Sequence, residues 1–219
     1  MEPVEHTDDQ PLNETLEDAP GSIFLSALAV ELGLLMLASL VGWFLEPSPL
    51  EQVHANTADL LYGLLACVPL LAGLVAMTHY PWGPLGRLDA FVRHNVVPLF
   101  AECRLWQIGV IALLAGIGEE ALFRGVIQAG IEQYFGSPAF ALAIASLLFG
   151  MAHLVTPTYA VLAGLIGAYF GWLLLTTGNL LTPIVAHAAY DFAAILYLLR
   201  LERVRAANAP PLARDQIQS

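Results

Sequence analysis

An all-α bundle of about six membrane-spanning helices is the fold this sequence predicts. Three observations predict it. The chain is 58% hydrophobic and only 12% charged, where a soluble domain carries roughly a quarter of its residues charged. Its apolar runs approach or exceed the roughly 20 residues that cross a bilayer. Its arginines fall in alternate connections, the pattern that orients a multi-pass membrane protein. A length of 219 residues suits one bundle.

Residues 1–20 read as a disordered acidic tail. They hold Glu2, Glu5, Asp8, Asp9, Glu14, Glu17 and Asp18 and no basic residue. Much of the net charge of −11 sits there, in a composition too polar to bury a core. The head has no basic n-region, so a cleaved secretory signal is not expected. The bundle is expected over residues 21–200 and a cytoplasmic tail over 201–219. No basic patch suggests nucleic acid as a partner. Cys67 and Cys103 have no paired spacing and read as free thiols. No Cys-a-a-X box closes the sequence, so prenylation of this chain by that signal is not expected.

The first span is expected from about Gly21 to Leu45, interrupted by Glu31 and ended by Trp43 as an interfacial anchor. Glu31 is ionisable inside the membrane: a site residue, or one satisfied by a neighbouring helix or by a proton. A polar loop, Glu46 to Asn56, precedes a second span from about Ala58 to Thr78, with Pro69 expected to kink it. Leu85 to Glu102 mixes Arg87, Asp89, Arg93 and His94 with apolar residues. It reads as an interfacial amphipathic segment broken at Pro98.

A third helical stretch, from near Arg104 to about Tyr134, is too long for one upright span. It is expected to tilt, or to break near Gly116 and Gly118. Gly136-Ser137-Pro138 closes it. A fourth span follows over about Ala139 to Leu154, a fifth over Tyr159 to Thr177 and a sixth over Leu180 to Leu199. Gly164, Gly167 and Gly171 in the fifth let backbones approach closely, and packing is their expected role. Arg87, Arg93 and Arg104 lie between spans two and three, and Arg200, Arg203, Arg205 and Arg214 follow span six. The protein is therefore expected to be multi-pass with both termini cytoplasmic.

The chemistry concentrates at Gly118-Glu119-Glu120-Ala121-Leu122-Phe123-Arg124-Gly125. Charge inside apolar sequence costs roughly 2.5–3.5 kcal/mol per group on insertion scales, so it needs a reason. Glu120 and Arg124 share a helix face and can pair. Glu119 is rotated about 100° away, so one arginine cannot serve both. Two more polar pairs lie in later spans: Phe149 with His153, and His187 with Asp191, again four apart. A Glu-Glu pair, two histidines and an aspartate on three spans are hard to explain as packing alone. Such residues can activate water and stabilise an oxyanion, ligate a metal, or relay protons.

In that order and spacing, Glu119-Glu120-x-x-x-Arg124, Phe149-x-x-x-His153 and His187-x-x-x-Asp191 resemble the three motifs of the CPBP intramembrane endopeptidases. That family includes the type II CAAX prenyl proteases and the Abi proteins. The resemblance covers about residues 104–200; spans one and two carry no motif. It implies an intramembrane endopeptidase that hydrolyses a peptide bond of a membrane-embedded or lipid-anchored protein or peptide, a prenylated CAAX end being the best-known substrate. It implies that Glu119, with His153, activates the attacking water, and that His187 and Asp191 hold the oxyanion. Glu120, Arg124 and Phe149 support the site, and Arg124 is a candidate to meet an anionic end of the substrate.

The resemblance implies no cofactor. The family was long classed as metalloproteases, so a divalent metal such as zinc on Glu119, His153 and His187 stays an alternative, although no His-Glu-x-x-His motif is present. The CAAX prenyl proteases usually carry Asn where this chain has Asp191. An ionised aspartate repels an oxyanion, so Asp191 is either protonated or orients His187; the second role is expected. Two rivals stand beside the enzyme: a non-enzymatic membrane partner that retains the scaffold, as in immunity or chaperoning, and a proton-relay transporter, for which the internal repeats are missing. Straight spans place His153 and His187 at different depths, although a shared site requires them to meet.

Overall fold

The computed structural model describes residues 20–44 and 48–208. Among them the chain is helical almost throughout, with no strand. The predicted acidic tail and the last residues, 209–219, lie outside the described residues. Helix α1 is Pro20–Phe44. A 3-10 turn, Pro49–Gln52, leads to α2, Thr57–His79. Then come α3 (Gly83–Phe91), a π-helical segment (Val92–Val96) and α4 (Val97–Phe100). The third stretch is α5 (Leu105–Glu120), a second π segment (Ala121–Gln128) and α6 (Ala129–Phe135). The chain closes with α7 (Pro138–Ala152), α8 (Pro157–Thr177) and α9 (Leu181–Asn208).

Helices α1, α2, α8 and α9 are each long and apolar enough to cross a membrane. α7 is apolar but has only 15 residues. The α5–α6 run is continuous helix with the π segment inside it. α1 turns Leu25, Val30, Met36, Leu40 and Trp43 outward, an apolar surface suited to lipid.

The α5–α6 run does not break at Gly116 and Gly118. Both glycines are contact points instead. A Cβ on Gly116 would lie 2.8 Å from the Ile184 carbonyl of α9, and one on Gly118 would lie 2.9 Å from the Glu31 carbonyl of α1. Bare backbone there lets α1 and α9 close on α5, so Glu119 and Glu120 are held between them. The helix changes geometry only after them, at Ala121. Pi-helical turns of this kind are rare and gather at functional sites.

Three other expectations are corrected. The amphipathic segment is not broken at Pro98, which falls in the first turn of α4, where a missing N–H leaves nothing unbonded. The wide turn before it carries the chain through. The sixth span does not stop at Leu199: α9 runs on to Asn208 because its charges are tied down. Arg205 donates to Glu202 at 2.8 Å and to the Thr78 carbonyl at 3.4 Å, and Glu202 also lies 3.9 Å from Arg93. The fourth span ends at Ala152, leaving His153 just beyond it as the C-cap.

The core sits around the π segment. Ala121, Leu122, Phe123 and Val126 pack with Ala38, Phe149 and Ala163. A second cluster joins α2, α8 and α9 through Ala66, Phe170, Leu173 and Ala186. The site lies between these two clusters.

Candidate active site

Glu120, the last residue of α5, is 0% exposed, and its Oε1 accepts two hydrogen bonds. Arg124 Nη1 donates one at 2.9 Å. His187 Nδ1 makes the other at 2.8 Å. A carboxylate already held by a guanidinium is an acceptor, so the imidazole donates through Nδ1–H. Arg124 Nη2 donates to the Gly167 carbonyl of α8 at 2.7 Å. The guanidinium carbon lies 4.4 Å above the Phe149 ring and 5.6 Å from that of Phe170, a cation–π setting. Gly167 makes this possible, since a Cβ there would stand 3.0 Å from Nη2 and 3.1 Å from Phe149 Cδ1.

Arg124 is only 1% exposed. With both terminal nitrogens engaged, it is not placed to meet an anionic substrate end. It neutralises Glu120, and Glu120 fixes His187. The structure adds that link between the first and third motifs: the short bond to His187 comes from Glu120, not from Asp191.

Glu119 faces a different space. Its Oε2 lies 3.7 Å from His153 Nε2 and 4.0 Å from His187 Nε2. It is buried and has no hydrogen-bond partner. These separations are too long for direct bonds and suited to a bridging water. His153 is set by the chain just after α7: its Nδ1 lies 2.9 Å from the Phe149 carbonyl. A carbonyl only accepts, so Nδ1 carries a proton, and the ring turns its Nε2 toward Glu119. Phe149 lies against the same ring at 4.5 Å between centroids. Asp191 Oδ2 is 3.4 Å from His187 Nε2. The Asp191 and His153 side chains are 31% and 24% exposed, so the cluster opens on their side.

The two histidines meet at Glu119, within 3.7 and 4.0 Å of its Oε2. α7 has 15 residues, and His153 follows its last turn. The start of α9 is packed into the protein: Asn179, Leu180 and Thr182 are buried and Leu180 N–H donates to the Gln52 carbonyl at 2.9 Å. His187 follows within two turns.

In the alternative zinc set of Glu119, His153 and His187, Glu119 Oε2 stands 3.7 and 4.0 Å from the two Nε2 atoms. A tetrahedral zinc with bonds of about 2 Å holds its donors roughly 3.4 Å apart, closer than either separation from Glu119. Among the described residues no three His, Cys, Asp or Glu side chains are grouped to hold a metal ion.

Four residues join the cluster beyond the motifs. Phe170 stacks on the His187 ring at 4.8 Å and 19°. Gln128, one turn past Arg124, donates to the Gly171 carbonyl at 3.3 Å, repeating the Arg124–Gly167 bond one turn on. Its spacing from Arg124 in an apolar run was the available signal. Glu31 comes from α1: it is in electrostatic reach of Glu119, His187, Asp191 and His153, and its buried Oε2 has no partner. Tyr159 packs edge-on against His153 at 5.9 Å; nothing in its local sequence marks it. An apolar cavity of about 390 Å³ lies behind the Ile117–Ala121 turn, lined by Leu35, Ala38, Pro49 and Ile184. None of the motif residues lines it.

Residues 101–193 match the family model described as Type II CAAX prenyl endopeptidase Rce1-like. The stretch includes all three motifs and excludes α1 and α2. With four membrane-crossing helices, the match makes this an integral membrane protein. No curated protein and no solved structure matches the chain.

Proposed function

We propose that the protein is an intramembrane endopeptidase using a glutamate-activated water. The observation that carries this is the convergence of Glu119 Oε2, His153 Nε2 and His187 Nε2 within 3.7 and 4.0 Å. A water between Glu119 and His153 donates one hydrogen bond to each, which turns its oxygen lone pairs outward. The substrate carbonyl carbon approaches there. As the oxygen bonds to carbon, its proton passes to Glu119 and the carbonyl electrons move to oxygen. His187, fixed through Nδ1 by Glu120, presents Nε2; as N–H it is the donor that oxyanion needs. Collapse breaks the C–N bond, and Glu119 returns the proton to the leaving amine. Atoms and charge balance, and Glu119 ends as it began.

The arrangement provides for both halves of the step: an acceptor pair for the water and a fixed donor for the oxyanion. Asp191 assists by orienting His187. The substrate is a membrane-embedded or lipid-anchored protein or peptide, and the family match supports a prenylated CAAX-type end. The open side, at His153 and Asp191, is cytoplasmic by the arginine pattern, as are both termini. Leu154 and Val155 beside it are exposed and apolar, so a lipid-anchored chain reaches the site along the bilayer.

The test compares terminal peptides of the membrane proteome from cells expressing the natural chain and cells expressing Glu119→Gln at equal levels. New termini with the natural chain alone are expected, and they name the substrate. Identical profiles from two folded, inserted proteins would reject the protease and leave the non-enzymatic partner.

A further inference from the structure

The oxyanion of the proposed reaction has one donor among the motif residues, His187 Nε2. Its motif neighbours there are poor candidates for a second. Asp191 and Glu119 bring acceptor oxygens. Arg124 is occupied, and His153 directs its Nδ1 proton to the Phe149 carbonyl. Oxyanion sites gather preorganised donors, so a second, neutral donor would complete this one.

Tyr159 is placed to supply it. Its position is built, not incidental. Thr156 caps α8 by accepting from the Tyr159 backbone N–H at 3.1 Å, which fixes where the side chain leaves the helix. The ring rests edge-on against His153 at 5.9 Å. The phenol is in electrostatic reach of both Asp191 and Glu119, the two carboxylates that flank the reacting space. It is hydrogen-bonded to neither, and its hydroxyl makes no hydrogen bond among the described residues. Its residue is 37% exposed on the open side of the cluster. A phenol donates without bringing charge, which suits a space bordered by carboxylates.

We propose that Tyr159 is a further catalytic residue, its hydroxyl being the second hydrogen-bond donor to the oxyanion beside His187. This rests on the hydrolase reading above. No proton leaves the phenol: it donates a hydrogen bond that strengthens as charge moves onto the carbonyl oxygen and relaxes when the C–N bond breaks. The interaction belongs to the transition state, so it acts on kcat and not on KM.

The test uses full-length protein in nanodiscs and a synthetic peptide spanning the junction found by the terminus comparison. Tyr159→Phe keeps the ring against His153 and the backbone cap, and removes only the hydroxyl. The expected result is a fall in kcat of roughly 100- to 1000-fold, the effect of removing one oxyanion donor, with KM and thermal stability unchanged. Tyr159→Leu removes the ring as well and is expected to be no more active. Wild-type kcat from Tyr159→Phe, whatever Tyr159→Leu does, would reduce Tyr159 to a packing residue and overturn the inference. A raised KM with unchanged kcat would overturn it too, by making the hydroxyl a ground-state contact. No new termini from the natural chain would remove the hydrolase reading and this inference together, whereas termini with an indifferent Tyr159→Phe remove the inference alone.

Discussion

The Glu120 side of the cluster is closed and the Glu119 side is open, although the two residues are adjacent in the chain. Glu120 is 0% exposed and accepts from Arg124 and His187 at 2.9 and 2.8 Å. Glu119 has a buried oxygen with no partner and two imidazole nitrogens at 3.7 and 4.0 Å. One carboxylate is held by two protein donors on its Oε1, with its Oε2 left unpartnered; the other has no protein donor at all. The rotation of about 100° between successive helical residues separates them; Arg124 and His187 Nδ1 bond to Glu120, while Glu119 meets only the Nε2 atoms of His153 and His187 at longer range. The difference teaches that a charge pair in a membrane helix can divide into a scaffold half and a reactive half. Each half then predicts a different kind of failure.

The largest effect is expected from Glu119→Gln. It should lower cleavage by about 10²- to 10⁴-fold and leave thermal unfolding unchanged, because no protein contact is lost. A large loss of stability would break the comparison, since Glu119 would then be scaffold too. Arg124→Met should do the reverse. It removes the guanidinium from the buried Glu120 and leaves His187 as its one remaining partner, at a cost of about 3–5 kcal/mol, read as lower unfolding temperature and lower membrane yield. Restored stability in Arg124→Met combined with Glu120→Leu would sharpen the point, as an apolar pair needs no partner. Gly167→Ala probes the same half more gently. The added Cβ crowds Arg124 Nη2 and the Phe149 ring, an overpacking worth about 1–3 kcal/mol. Differential scanning of the purified protein measures it. The smallest effect is expected from Asp191→Asn. Asp191 is partly exposed and 3.4 Å from His187, so the pair contributes about 1 kcal/mol, roughly a fivefold change in rate. A much larger drop would move Asp191 to the reactive half, while an unchanged rate would match a protonated Asp191.

The helical membrane fold was legible because it follows from local properties. Apolar runs, proline and glycine stops and charge counts are read without knowing what lies across the bundle. Gly136 ends α6 with φ of 65°, and Ser137 caps α7, both at the predicted closure. The motif residues were legible for a related reason: charge in an apolar run stands out by its cost. Helix ends were less legible. α9 outruns its apolar stretch because Arg205 and Glu202 find partners on α2 and the π segment Val92–Val96, which no local window contains. Gly116 and Gly118 looked like weak points and are close contacts. Gly167 looked like packing and also offers a carbonyl to Arg124. Tyr159 and Phe170 had no signal at all, since an aromatic residue in an apolar helix is ordinary until its neighbour is known.

The sequence by itself determined the class of fold and the membrane as solvent. It also determined which polar side chains must lie inside, because hydropathy and helical period are properties of a single segment. Only the tertiary structure decided which carboxylate is bound and which is free, how His153 and His187 come to one depth, and which backbone carbonyl receives Arg124. Those outcomes depend on distances between residues far apart in the chain. They are set by how short α7 is, how the start of α9 packs into the protein and how closely glycines let the helices approach.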